Sequence, residues 1–156
     1  MESFPMTQKG YEKLKAKLDY LKRVRRPEII KAIEEARAHG DLSENAEYEA
    51  AKHEQGLIEA RIRELEYKLA HAEVIDPSTI ESDEVMFGAT VTIRDAETGR
   101  VRTYKIVGSD EADPQDGTIS INSPLARGLI GFKAGDSVLI GDDDPREFEI
   151  LEVKYI

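Results

Sequence analysis

The sequence predicts an α+β protein, an N-terminal antiparallel coiled-coil helical hairpin followed by a small β-rich domain. Three observations carry this. Two apolar stripes of helical period run through the first half, turn residues separate them, and beyond Pro77 the period changes from helical to alternating. We place the hairpin at residues 1–76, a linker at 77–84 and the β-rich domain at 85–156.

Thr7 is placed to cap a helix starting near Gln8. Tyr11, Leu14, Leu18 and Leu21 follow at spacings of three and four, one apolar stripe. The phase slips by about one residue around Arg25-Arg26-Pro27 and resumes with Ile29, Ile33 and Ala36. Proline removes a helical hydrogen bond, so a kinked helix is expected here, with two consecutive helices as the alternative. Gly40 is placed to stop the helix with a left-handed residue. The second stripe is Tyr48, Ala51, Gln55, Ile58, Ile62, Leu65, Leu69 and Ala72; it runs on to Val74-Ile75, and Asp76-Pro77 ends it. Matching stripes joined by a short turn make an antiparallel pair with one narrow buried seam. About 30 residues per arm give a rod on the order of 45 Å.

Beyond Pro77, Ala89–Ile93 alternates as a half-buried strand, Asp95–Gly99 is turn chemistry, and Arg100–Val107 returns as its partner. Gly117–Ile121 is another short strand. Ser123 followed by Pro124 reads as a cap with proline in the first turn of a short helix, Leu125–Ile130, which Gly131 closes. Ser137–Ile140 and Glu147–Tyr155 are the last two strands, around the acidic turn 141–145.

The chain lacks cysteine, which excludes disulfides, thiolate zinc sites and thiol catalysis. No apolar run reaches the roughly 18 residues of a membrane span, and residues 1–5 lack signal-peptide character. A cytoplasmic protein without a membrane partner is expected. The net charge of −10 is uneven. Residues 1–74 carry 14 Lys/Arg against 15 Asp/Glu, while residues 75–156 carry 8 against 17. The acidic second half argues against free-standing duplex binding. The locally basic stretch from Lys9 to Lys31 reads first as a solvated helix face.

Between the stripes lies His39-Gly40-Asp41-Leu42-Ser43-Glu44-Asn45. Two readings of its carboxylates stand side by side. In the first, Asp41 or Ser43 caps the second helix and Glu44 sits in its first turn. In the second, Asp41 and Glu44 are two hard oxygen ligands for Mg²⁺, which prefers six oxygens, so that the rest must come from a partner. The histidines at 39, 53 and 71 lack zinc spacing, and no serine has a triad or nucleophile-elbow context.

Several long motifs occur in order: Phe4-Pro5-Met6-Thr7, Val24–Ile30, Asn45-Ala46-Glu47-Tyr48, Phe87–Val91, Ile106-Val107-Gly108 and Ile121–Gly131. With these the chain resembles, over essentially its whole length, the GreA-type transcript cleavage factors of bacterial RNA polymerase. The resemblance implies an FKBP-like fold for the β-rich domain and a hairpin that enters the polymerase secondary channel. It implies that Asp41 and Glu44 help hold a second Mg²⁺, shared with the polymerase and not stably bound by the free protein. The polymerase then hydrolyses its own backtracked RNA, and this chain is not itself the enzyme. Arg37 and Lys52, on opposite arms near the tip, become candidates for contacting the RNA 3′ segment. Ser123 and Pro124 become candidates for polymerase docking. A monomer is expected. A channel-blocking inhibitor of the same architecture would carry extra acidic residues at the tip, whereas here Leu42 and Ser43 separate the two carboxylates. A GreB-like member would have a more basic hairpin. A coiled-coil adaptor would use the tip residues only as caps.

Overall fold

The computed structural model describes residues 2–40 and 45–156. It is an α+β protein with two compact units, residues 12–71 and residues 3–11 together with 72–156.

The first unit is the helical hairpin. Helix α1 spans Gln8–Tyr20, a π-helical turn covers Leu21–Arg25, α2 spans Arg26–Arg37 and α3 spans Ala46–Ala70. The π turn explains how the chain accommodates Pro27. In a continuous α-helix the proline ring would clash with the carbonyl four residues back and leave it without a donor. Here the Arg26 N–H donates to the Leu21 carbonyl, five residues back, and Pro27 falls in the first turn of a fresh α-helical segment. The wider turn absorbs one residue, which is the one-residue slip in the apolar stripe.

Ile29, Ile33, Ala51, Ile58 and Ile62 form the buried seam, flanked by Leu18, Leu21, Ala32 and Tyr48. The arms are antiparallel, as their cross-pairs show. Lys22 meets Glu66 at 3.1 Å, and Arg26 grips both carboxylate oxygens of Glu59 at 2.9 Å. Arg25 pairs with Glu54.

The second unit contains a five-stranded sheet in the order β5-β4-β3-β7-β6. Its strands are β3 (Thr90–Asp95), β4 (Val101–Val107), β5 (Thr118–Ser120), β6 (Ser137–Ile140) and β7 (Arg146–Lys154). Within this sheet β4 and β5 pair in parallel and the other neighbours are antiparallel. A bulge in β7 lets Thr92 face Glu152 while Ile93 faces Ile150, so Leu151 is the extra residue. This keeps Ile93 and Ile150 both directed to the core. Helix α4 (Pro124–Leu129) covers that face with Ala126 and Leu129, both fully buried.

Two three-residue strands correct the sequence reading. β1 (Phe4–Met6) pairs in parallel with β2 (Ala72–Val74), and the Ile75 N–H continues the ladder to the Met6 carbonyl. The second helix therefore ends at Ala70 rather than running on to Val74-Ile75. Both ends of the hairpin sequence, expected within the span 1–76, group instead with the β-rich unit. No helix among the described residues is long and apolar enough to cross a membrane.

Candidate functional site at the end of the hairpin

The last turn of α2 tightens: the N–H groups of His39 and Gly40 each donate at 3.2 Å to the carbonyl three residues back. Helix α2 itself ends at Arg37, and the turn that follows runs to Gly40, which takes φ = +102°, the left-handed conformation its glycine implied. Helix α3 opens with Asn45 as its cap. The Asn45 Oδ1 accepts from the Tyr48 N–H at 3.0 Å, and its Nδ2 donates to the Ala36 carbonyl at 2.6 Å. Chemistry orients this amide, because the atom facing an N–H must accept and the atom facing a carbonyl must donate. One side chain thus satisfies an orphan donor of α3 and ties it to the end of α2.

This corrects the capping assignment. The cap of α3 is Asn45, not Asp41 or Ser43, and Glu44 precedes the cap instead of occupying the first turn. The acidic residues of that turn are Glu47 and Glu49. Asp41 and Glu44 themselves lie outside the described residues.

The two basic candidates are both exposed. The Arg37 guanidinium lies 6.0 Å from the centre of the Tyr48 ring, at the outer limit of a cation–π contact between the arms. Lys52 Nζ donates to Gln55 Oε1 at 3.2 Å on its own helix. His39 Nδ1 lies 3.5 Å from Glu47 Oε2.

In the β-rich unit, the Ser123 hydroxyl accepts from the Ala126 N–H at 3.2 Å, the capping role its sequence context suggested. Pro124 is exposed beside it. The next residue, Leu125, lines a cleft of about 370 Å³ with Tyr104, Phe148, Arg100, Arg102 and Arg146. Sequence reasoning missed this cleft, because its walls come from strands far apart in the chain. At its edge the buried Asp95 pairs with Arg146. Burial works to raise the Asp95 carboxyl, but the backbone N–H groups of Glu97 and Thr98, then Arg146 and Arg100, hold it below its ordinary value. Among the described residues, no group of three or more His, Cys, Asp or Glu is arranged to hold a metal ion.

The family model described as "Transcription elongation factor, N-terminal" matches residues 4–74. That described as "Transcription elongation factor, GreA/GreB, C-term" matches residues 80–155. The chain is 54% identical over 158 residues to a transcription elongation factor GreA of Haemophilus influenzae, covering all of both chains. It is 53% identical over 158 residues to one of Neisseria meningitidis, again covering both in full. Among solved structures, GreA factor homolog 1 (Gfh1) of Thermus thermophilus aligns at 29% identity over 97% of this chain and 99% of its own, with a TM-score of 0.46. This chain belongs to the GreA/GreB family of transcription elongation factors.

Proposed function

We propose that this elongation factor enters the secondary channel of bacterial RNA polymerase hairpin first and stimulates the polymerase's own cleavage of backtracked nascent RNA. Asp41 and Glu44 would be the residues delivered to the polymerase active site. The observation that carries this reading is the Asn45 cap. It meets the Tyr48 N–H at the start of α3 with an amide, so that role is filled without a carboxylate.

The donor set fits the ion. Carboxylate oxygens are the ligands Mg²⁺ selects, and two of them leave most of its six positions to water and to a partner. When bound, Mg²⁺ lowers the pKa of attacking water and neutralises charge on the leaving oxygen. The chain's own task is to carry Asp41 and Glu44 on a stiff arm and hold the loop ends together through the Asn45 bridge to the Ala36 carbonyl. Arg37 and Lys52, exposed on the two arms, steady the phosphates of the extruded RNA 3′ segment. The region around Pro124 docks on the polymerase. The protein works as a cytoplasmic monomer that completes another protein's site.

The test is RNA cleavage in a stalled, backtracked complex of a bacterial polymerase with Mg²⁺, with polymerase binding measured separately. Asp41→Asn with Glu44→Gln is expected to bind normally and lose about a hundredfold or more in cleavage rate, the scale set by losing metal-assisted chemistry. Arg37→Glu with Lys52→Glu is expected to weaken crosslinking to the RNA 3′ end and slow cleavage by a smaller factor. Undiminished cleavage by the neutral tip variant would sink the metal reading. Binding that blocks without cleavage would identify an inhibitor.

A further inference from the structure

The core face of the five-stranded sheet changes character along its strands. Residues directly opposite one another on antiparallel strands share a face. Ile93 faces Arg102 and Val91 faces Tyr104 across β4, while Ile93 faces Ile150 and Asp95 faces Phe148 across β7. With a period of two, β4 therefore presents Arg102, Tyr104 and Ile106 in succession on this face. In the same way β7 presents Arg146, Phe148 and Ile150. Each flank of β3 thus runs from an arginine through an aromatic ring to an isoleucine that is 0% exposed. The isoleucines belong to the core beneath α4. The rings and guanidiniums line the cleft of about 370 Å³ that Leu125 of α4 borders.

A cationic cleft runs against the charge of this part of the chain. Residues 75–156 carry 8 Lys/Arg against 17 Asp/Glu, yet Arg100, Arg102 and Arg146 all line this one cleft. A single carboxylate, Asp95, stands among them and pairs with Arg146. Three guanidiniums against one carboxylate leave two positive charges in excess. Arg102 has no ion-pair partner among the described residues. Tyr104 and Phe148 are half-buried in the walls, so apolar surface and positive charge meet in the same small space.

We propose that this cleft binds a nucleoside phosphate, the guanidiniums taking the phosphate and the two rings the base. The guanidinium fork matches phosphate oxygens two at a time. A base gains by stacking on an aromatic side chain, whichever base it is. The volume falls toward the lower end of small-molecule pockets, roughly 300–1,000 Å³, which suits one nucleotide. A longer nucleic acid is disfavoured by the charge count that sets the cleft apart. Its strand would leave the cleft over an acidic domain, whereas a polyanion needs a continued basic track. The cleft lies wholly within the β-rich unit, so the proposal stands apart from the function of the carboxylates at 41 and 44.

The test is titration of the full chain at low ionic strength, without metal ions, with ADP, GDP, adenosine and inorganic pyrophosphate, followed by amide chemical shifts. ADP or GDP is expected to shift the amides of residues 100–104 and 146–148. It should bind at least about tenfold more tightly than adenosine or pyrophosphate, because each of these lacks one half of what the cleft recognises. Arg102→Gln is expected to weaken the nucleotide about tenfold, the scale of one charge-assisted hydrogen bond. Arg94→Gln removes the same charge from the opposite face of the sheet, where Arg94 pairs with Glu149, and should leave affinity unchanged. Tyr104→Leu should weaken the nucleotide and leave pyrophosphate as it was. The amide spectrum of each variant reports on its fold. Nucleotide binding no tighter than that of pyrophosphate, or equal losses in Arg102→Gln and Arg94→Gln, would reduce the cleft to a general anion site and overturn the proposal. Tighter binding of a short acidic peptide carrying one phenylalanine than of either nucleotide would overturn it too, by making the cleft a peptide groove.

Discussion

The carboxylates of the two units are employed differently. In the β-rich unit ion pairs also occur, Glu149 with Arg94, Asp83 with Lys133 and Glu152 with Lys154, but a set of carboxylates is tied to backbone N–H groups. Asp76 accepts from Ser78, Asp95 from Glu97 and Thr98, Asp113 from Gln115, Asp136 from Lys133 and Glu111 from Thr7 and Gly108. They hold turns and connections together. In the hairpin they meet cationic side chains: Glu59 with Arg26, Glu54 with Arg25, Glu66 with Lys22, Glu64 with Arg61 and Lys68. At the hairpin end an asparagine does the capping that an aspartate could have done. A carboxylate's role is thus read from what its neighbours already supply.

The largest test of this contrast removes core volume from each unit. Leu129→Ala and Ile62→Ala delete side chains that are 0% and 1% exposed, and each is expected to cost about 2–5 kcal/mol. The β-rich core surrounds Leu129 with α4 and the sheet, so its cavity resists collapse and the cost belongs at the upper end. Ile62 sits in a single seam that can relax along its length, placing it lower. Urea unfolding with site-resolved amide exchange separates the two. Equal loss of protection in the five-stranded sheet on Ile62→Ala would show one cooperative structure and break the contrast.

A smaller effect is expected at the hairpin end. Asn45→Ala removes the cap and the link to Ala36, for a loss of about 1–2 kcal/mol. Asn45→Asp keeps the acceptor for Tyr48 but loses the donor to the Ala36 carbonyl, and should fall between. Faster amide exchange in the first turn of α3, without change in the β-rich unit, is the expected signature. If Asn45→Asp matches wild type in stability and in cleavage, the bridge between the arms has no role.

The hairpin was legible because apolar residues at spacings of three and four leave only one face to bury. The stripe even carried the defect at Pro27 as a slip of phase, although not its remedy, since a π turn depends on how the rest of the seam packs. Val74 and Ile75 extended the apolar pattern past the true helix end. Their strand role comes from pairing with Phe4–Met6, nearly seventy residues earlier, which local periodicity cannot register. The Asn45 cap was hidden by a better-looking pattern. Asp41 and Glu44 have capping-box spacing, whereas Asn45 is followed three residues later by Tyr48. Glu111 left no local trace, because the Thr7 N–H that it accepts from lies 104 residues earlier in the chain.

The finest test of the contrast is its response to acid and salt. The hydrogen bond from Arg26 holds the Glu59 carboxyl below the ordinary glutamate value, with burial opposing and the charges of Arg26 and Arg63 assisting. Lys68 and Arg61 do the same for Glu64. Asp95 is also lowered, through backbone N–H groups ahead of any charge that favours its ionised form. For a depressed carboxylate, the stability contribution is fully present above the unfolded-state pKa and disappears as pH falls through the folded-state pKa. Both units should therefore weaken below the ordinary carboxylate range of about 3.9–4.3. Salt should distinguish them. At 1 M the screening length is about 3 Å, which weakens ion pairs between exposed side chains but spares hydrogen bonds to backbone N–H groups. Thermal unfolding from pH 7 to 3 at low and high salt, followed by helical ellipticity and by amide exchange in β3, should show an acid loss that shrinks with salt in the hairpin and persists around Asp95. Equal salt sensitivity in both units would mean that the Asp95–Arg146 pair outweighs the turn N–H groups, and that the two sets of carboxylates differ less than their partners suggest.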